Sequence, residues 1–234
     1  MVECLRGASA RFFPYPMKGF IMKSLLSFSR LAVAGVLLAG AGTASAGDWA
    51  DTTGLSVCPQ AFSRTATPQA CVLPLLNADF EQGGTAGWLG YDAGNSVHGL
   101  NLIGPDRDGQ GQAAVLRQAE TGISQIVALP HNPGGAGGHE ATYVTRFRVT
   151  SDGNAPVTLH YRARFVDADG RTIGNVTHGE VTTDGSDMVH TMRHPQRDLP
   201  DQAFLAIEVI RGSDASAGLA AYVDDVSVTL RDRK

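Results

Sequence analysis

From Val72 onward the apolar positions recur with a period of two, and no stretch sustains a helical period. Alternating or apolar runs occupy Val97–Ile103, Ala113–Gln118, Ile123–Leu129, Ala141–Thr150 and Val157–Asp167. Four more follow at Thr172–Thr182, Asp187–His194, Ala203–Arg211 and Tyr222–Leu230. Between them stand turn-forming clusters: Gly104-Pro105-Asp106, Pro133-Gly134-Gly135, Ser151-Asp152-Gly153-Asn154, Asp167-Ala168-Asp169-Gly170 and Thr183-Asp184-Gly185. Short strands punctuated this way predict an all-β sandwich or barrel. No internal repeat or low-complexity linker divides the region, so one domain is expected.

Two runs show which side is core. Tyr143, Thr145, Phe147 and Val149 share one face of their strand, and Val157, Leu159, Tyr161, Ala163 and Phe165 share one face of the next. The opposite faces carry Arg146 and Arg148, and His160, Arg162 and Arg164. The short connection between the runs predicts that the strands pair, which would gather four arginines and a histidine on one sheet face. Guanidinium forks there suit the carboxylates of an acidic glycan. The plainer expectation is a solvated face whose arginines pair with carboxylates such as Glu208.

The first residues are not expected to join that fold. Met22-Lys23 opens a basic segment ending at Arg30, an apolar run Leu31–Ala41 follows, and Thr43-Ala44-Ser45-Ala46 supplies an A-x-A cleavage pattern. The apolar run is shorter than the roughly 20 residues of a membrane span. The expected organisation is therefore an upstream extension over 1–21, a signal peptide over 22–46, an N-terminal arm over 47–72 and a sandwich over 73–231. A soluble secreted or periplasmic protein follows, with no transmembrane segment after cleavage. Downstream of Ala46 the chain keeps 22 acidic and 14 basic residues, and Lys234 is its one lysine. That balance argues against a nucleic-acid partner, which needs a dense cationic footprint. Cys58 and Cys71 remain as an even pair, read as a disulfide worth about 2–3 kcal/mol, with metal ligation as the alternative.

Two stretches carry a resemblance. Leu76-Asn77-Ala78-Asp79-Phe80-Glu81-Gln82-Gly83-Gly84 closes on Gly87-Trp88, and Ala221-Tyr222-Val223-Asp224-Asp225-Val226-Ser227-Val228-Thr229-Leu230 lies near the other end. Together they resemble the opening N-x-x-F-E … G-W and closing V-D-D-V-S-V motifs of carbohydrate-binding modules of families four, nine and twenty-two. The resemblance covers Leu73 to about Leu230. It implies a galactose-binding-domain-like jelly-roll β-sandwich of two antiparallel sheets that binds an oligo- or polysaccharide. It also implies a structural calcium ion held by Glu81 with Asp224 or Asp225; Asp224 is preferred because strict alternation puts it on the side of Tyr222, Val226 and Val228. Among the aromatic side chains that sugar binding uses, Trp88, Tyr143 and Tyr161 read as core, whereas Tyr91, in the Gly90–Gly94 loop, reads as exposed. The candidate ligand-binding set is thus Arg146, Arg148, His160, Arg162, Arg164 and Tyr91.

Several catalytic look-alikes fail. His139-Glu140 begins a zinc-protease motif, but Tyr143 stands where its second histidine belongs. His190 and His194, four apart on a strand, lie about 13 Å apart, too far to share one ion. Asp106-Arg107-Asp108-Gly109 lacks the glutamate of a calcium loop, since Arg117 holds that position, and Asp214-Ala215-Ser216-Ala217-Gly218 lacks the first glycine of a nucleophile elbow. The reading is therefore a non-catalytic glycan-binding module without an attached enzyme domain. The alternatives are a small glycan-cleaving hydrolase or lyase using His160 or a carboxylate pair, and a structural surface protein with a protein partner.

Overall fold

A computed structural model describes residues 54–59, 70–130, 140–197, 199–200, 202–213 and 218–232. The expected leader, His139 and Asp214–Ala217 lie outside these residues. The described chain is all-β, a jelly-roll sandwich of two antiparallel sheets. The strands are β1 (Ala70–Val72), β2 (Leu89–Asp92), β3 (Val97–Leu100), β4 (Ile103–Pro105), β5 (Gln112–Leu116), β6 (Thr121–Ala128), β7 (Glu140–Ser151), β8 (Val157–Val166), β9 (Thr172–Thr183), β10 (Met188–Arg197), β11 (Phe204–Arg211) and β12 (Ala221–Asp232). The first sheet runs β10-β7-β12-β5-β4, with β1 also on β12; the second runs β3-β2-β6-β11-β8-β9.

The alternation assigned the two faces of β7 and β8 correctly, but not their pairing. β7 lies between β10 and β12 in the first sheet, and β8 lies between β11 and β9 in the second. The connection after Ser151 crosses the sandwich instead of turning a hairpin. The apolar faces of β7 and β8 therefore meet across the core: Phe147 stacks on Tyr161 with ring centroids 5.6 Å apart, and Tyr143 meets Phe165 edge-on at 5.2 Å. Arg146 and Arg148 consequently lie on one outer face of the molecule and His160, Arg162 and Arg164 on the other. They cannot form the single arginine face expected from the sequence.

The expected run Val97–Ile103 is likewise two strands, β3 in the second sheet and β4 in the first. Gly104 and Pro105, expected in a turn, close β4 at a sheet edge, where the missing proline N–H costs no ladder bond.

Both motif stretches are structural. Phe80 and Trp88 are buried 5.2 Å apart, and the Trp88 indole donates to the Asn77 carbonyl at 2.9 Å. The Val226 N–H donates to the Ala78 carbonyl at 2.9 Å, joining the opening loop to β12. There β12 carries a bulge between Asp224 and Ser227, with Asp225 at φ 50°. The extra residue shifts the phase of the strand. Val223, Val226, Val228 and Leu230 all face the core, whereas Tyr222 and Asp224 face outward. The side shared by Asp224, Val226 and Val228 under strict alternation therefore does not exist.

Cys58 and Cys71 form a disulfide, Cα atoms 4.9 Å apart, and Val57 bridges in parallel to Val72. The arm is thereby tied to β1 and through it to the Thr229–Arg231 end of β12.

Candidate functional site on the second sheet

Neighbours across a ladder share a face, so the outer face of the second sheet can be read strand by strand. β2 contributes Leu89 and Tyr91, β6 Gly122, Ser124 and Ile126, and β11 Ala206, Glu208 and Ile210. β8 contributes His160, Arg162 and Arg164, opposite Glu180, His178 and Val176 of β9. The fold thus brings together four of the six expected ligand-binding residues: Tyr91, His160, Arg162 and Arg164.

Glu208 is the centre of this face. Its side chain is 7 % exposed and accepts from Arg162 Nε at 2.9 Å and from Arg162 Nη2, both through Oε2. Its other oxygen, Oε1, lies 3.5 Å from Arg164 Nε. Register explains the grouping, since Glu208 is directly opposite Arg162 and diagonal to Arg164. The carboxylate thus fixes the Arg162 guanidinium plane, while Arg164 is an ion-pair neighbour whose Nε makes no hydrogen bond.

Tyr91 differs from its expected loop position. It lies in β2, is buried, and rests over Gly122 on the neighbouring strand; a Cβ at Gly122 would come within 2.9 Å of the Tyr91 hydroxyl and ring. The hydroxyl has no hydrogen-bond partner. Burial raises its pKa, and the Glu208 charge adds to that rise while Arg162 and Arg164 oppose it, so the phenol stays protonated beside the cluster. Two exposed apolar side chains flank the cluster on β2 and β6, Leu89 at 46 % and Ile126 at 57 %, with Val176 on the far side. At the β8–β9 edge, His160 Nδ1 stands 3.7 Å from Glu180 Oε2, both well exposed.

The other two arginines occupy the first sheet. Arg148 is held by the Asp224 carboxylate, with Asp225 at 3.3 Å and Asp187 at 3.8 Å. The hydrogen bond that Arg148 donates to Asp224 raises the Arg148 pKa; burial raises that of Asp224, against the pull of Arg148. Arg148 lines a cavity of about 100 Å³ with Arg107, Asp106, Asp187, Asp224 and Tyr222. This is well below the roughly 300 Å³ of the smaller ligand sites, and Arg148 in it is already paired with Asp224, Asp225 and Asp187. Arg146 is half-buried opposite Ser227 and Thr191. The first-sheet face is a salt-bridged surface.

The carboxylates expected to hold calcium have other neighbours in this structure or face solvent. Glu81 accepts from the Gln112 N–H at 2.9 Å, Asp224 is engaged by Arg148, and Asp225 is exposed. Among the described residues no three His, Cys, Asp or Glu side chains gather as a metal site.

Glu208 could be found in sequence only as an arginine partner. Leu89 and Ile126 gave no signal: within Ile123–Leu129 apolar residues stand on both faces, so exposure is invisible until the neighbours are known.

No protein-family model matches the chain, and no curated protein does. Solved structures with a similar course of the chain include the CBM22-1 xylan-binding domain from Paenibacillus barcinonensis Xyn10C, 19 % identical, covering 72 % of this chain and 100 % of that one at a TM-score of 0.44. A CBM4 structure is 16 % identical over 68 % and 100 % of the two chains, TM-score 0.43. The enzymatically active domain of bacteriophage CBA120 tailspike protein 4 is 12 % identical over 65 % of this chain at a TM-score of 0.42, and only 20 % of that longer chain is matched. These likenesses concern the course of the chain, and most are to carbohydrate-binding β-sandwiches.

Proposed function

We propose that the protein binds carbohydrate chains along the outer face of its second sheet. One observation carries the reading: a carboxylate, Glu208, holds the Arg162 guanidinium by two hydrogen bonds, with Arg164 beside it at 3.5 Å, between exposed apolar side chains. Pyranose rings present apolar C–H faces edged by hydroxyl groups. A surface matching them needs apolar contact area beside fixed donors and acceptors, and mobile side chains would lose affinity to the entropy of ordering them. Leu89, Ile126 and Val176 supply the first, and Arg162 held by Glu208 supplies the second, with Arg164 beside them. The Cys58–Cys71 disulfide supports placing this activity in an exported protein, because disulfides persist in oxidising compartments.

A glycan-array experiment on the purified protein tests the reading. Binding to a defined group of glycans is expected, and a blank from well-folded protein would overturn it. A second reading has one observation in its favour, the exposed His160–Glu180 pair beside the arginines, which could exchange protons in glycosidic cleavage. New reducing ends or unsaturated products from a glycan that the array identifies would establish cleavage.

A further inference from the structure

We propose that strand β10 carries a site for a soft monovalent metal ion, copper(I) or its analogue silver(I), built from Met188, His190 and Met192. The sequence there reads Met188-Val189-His190-Thr191-Met192-Arg193-His194, and alternate residues of a strand share a face. Pairing with β7 shows which face. Met188 is opposite Val149, His190 opposite Phe147 and Met192 opposite Thr145, and those three β7 residues are fully buried in the core. Two thioethers therefore flank one imidazole on the inner side of β10, the strand at the edge of its sheet.

Three features make a donor set of this stripe. The His190 ring packs on Phe147, centroids 5.2 Å apart, and its Nε2 is buried with no hydrogen-bond partner among the described residues. Burial lowers the His190 pKa, so the imidazole is neutral at neutral pH and keeps a lone pair for a metal. Across the sandwich edge stands Gly179 of β9, where a Cβ would lie 2.7 Å from Met192 Sδ and 3.8 Å from His190 Nε2. Both donors thus converge on bare backbone, a close approach that a side chain on Gly179 would block. Met188, 37 % exposed, stands on the other side of His190, about 7 Å along the strand, and its unbranched side chain can supply the third donor.

The chemistry of the set selects the ion. Thioethers suit copper(I), whereas zinc takes thiolate, imidazole and carboxylate ligands and calcium takes oxygens. No carboxylate shares the stripe: Asp187 lies 3.8 Å from Arg148 on the outer face, and Glu180, next to Gly179, faces outward to His160. His194, the following residue of the stripe, engages Tyr161 and Thr145 through Nε2 and stands outside the set.

Silver(I) is the probe, titrated into the full chain carrying Cys4→Ser so that no thiol there competes with the thioethers. Native mass spectrometry and the carbon-13 methyl signals of labelled methionine follow the titration. Expected is one silver ion per chain, with two methionine methyl signals shifting together, identified by their loss in Met188→Leu and Met192→Leu. Each of these variants should bind silver at least tenfold more weakly, and so should His190→Asn. Leucine is close to methionine in volume, so an unchanged melting temperature in the two leucine variants separates lost binding from lost fold even if His190→Asn unfolds. Zinc at the same concentration should leave the methyl signals unmoved. Absence of silver binding, or binding that both leucine variants retain in full, would overturn the proposal. Zinc that displaces silver on equal terms would overturn the assignment to a soft ion.

Discussion

At the scale of single residues, His194 is a buried group whose charge state bears on folding. His194 is fully buried, with Nε2 2.9 Å from the Tyr161 hydroxyl and 3.0 Å from Thr145 Oγ1. The Tyr161 hydroxyl donates to Thr145 at 2.8 Å, and His194 Nδ1 has no hydrogen-bond partner. Burial lowers the His194 pKa from 6.5 to about 4. The unfolded chain therefore holds a proton that the folded protein releases. Stability from this group is complete above pH 6.5 and is lost as the pH falls through 4, about 3 kcal/mol across that window. Urea unfolding of the protein and of His194→Asn between pH 4 and 7 checks this. The stability difference between the two should shrink or reverse toward pH 4, and a pH-independent difference would contradict it. Gly122 gives a second prediction. An added Cβ would meet the Val209 carbonyl at 2.8 Å as well as the Tyr91 ring, so Gly122→Ala should cost about 1–3 kcal/mol in thermal or urea unfolding.

Among the elements, β12 explains most of the difference between what the sequence pattern implied and what the fold contains. Its Asp224-Asp225-Val226 segment reads equally well in either phase, and only pairing with β7 shows the bulge at Asp225. Aspartate is among the few residues that adopt a positive φ at modest cost, and its neighbour's Oδ1 accepts the Asp225 N–H at 2.7 Å. The bulge is what keeps Val223 and the Val226–Leu230 set on one face. Inserting one further residue between Val226 and Val228 would turn either Val223 and Val226 or Val228 and Leu230 outward. Such a variant should fail to fold, as judged by loss of a cooperative melt. Replacing both Cys58 and Cys71 by serine should be milder, about 3 kcal/mol, since the bridge closes a separation of 13 residues.

For the whole molecule, alternation made the core-facing sets of β7 and β8 legible but not the phase of β12 or the faces of β6. Strand partners were not legible either. A connection of a few residues serves a hairpin or a crossing between sheets equally, and which occurs depends on how both apolar faces are covered. Because the chain crosses after Ser151, one expected arginine cluster became two sites on opposite sides. The site was correspondingly half legible. Arg162 and Arg164 with Glu208 could be read as a charge group, whereas the covering of Tyr91 and the exposure of Ile126 depend on strands distant in sequence. The two sides now make opposite claims, one a ligand face and the other a salt-bridged surface. The most direct test places paired substitutions on each side: Leu89→Asp with Ile126→Asp on the second sheet, and Arg107→Ala with Asp187→Ala on the first. Both variants and the parent protein would be titrated calorimetrically with a glycan that the parent binds. The account predicts that the second-sheet pair abolishes binding while the first-sheet pair leaves it within about twofold, a change under roughly 0.5 kcal/mol. Loss of binding in the first-sheet variant alone, with both proteins folded, would contradict it.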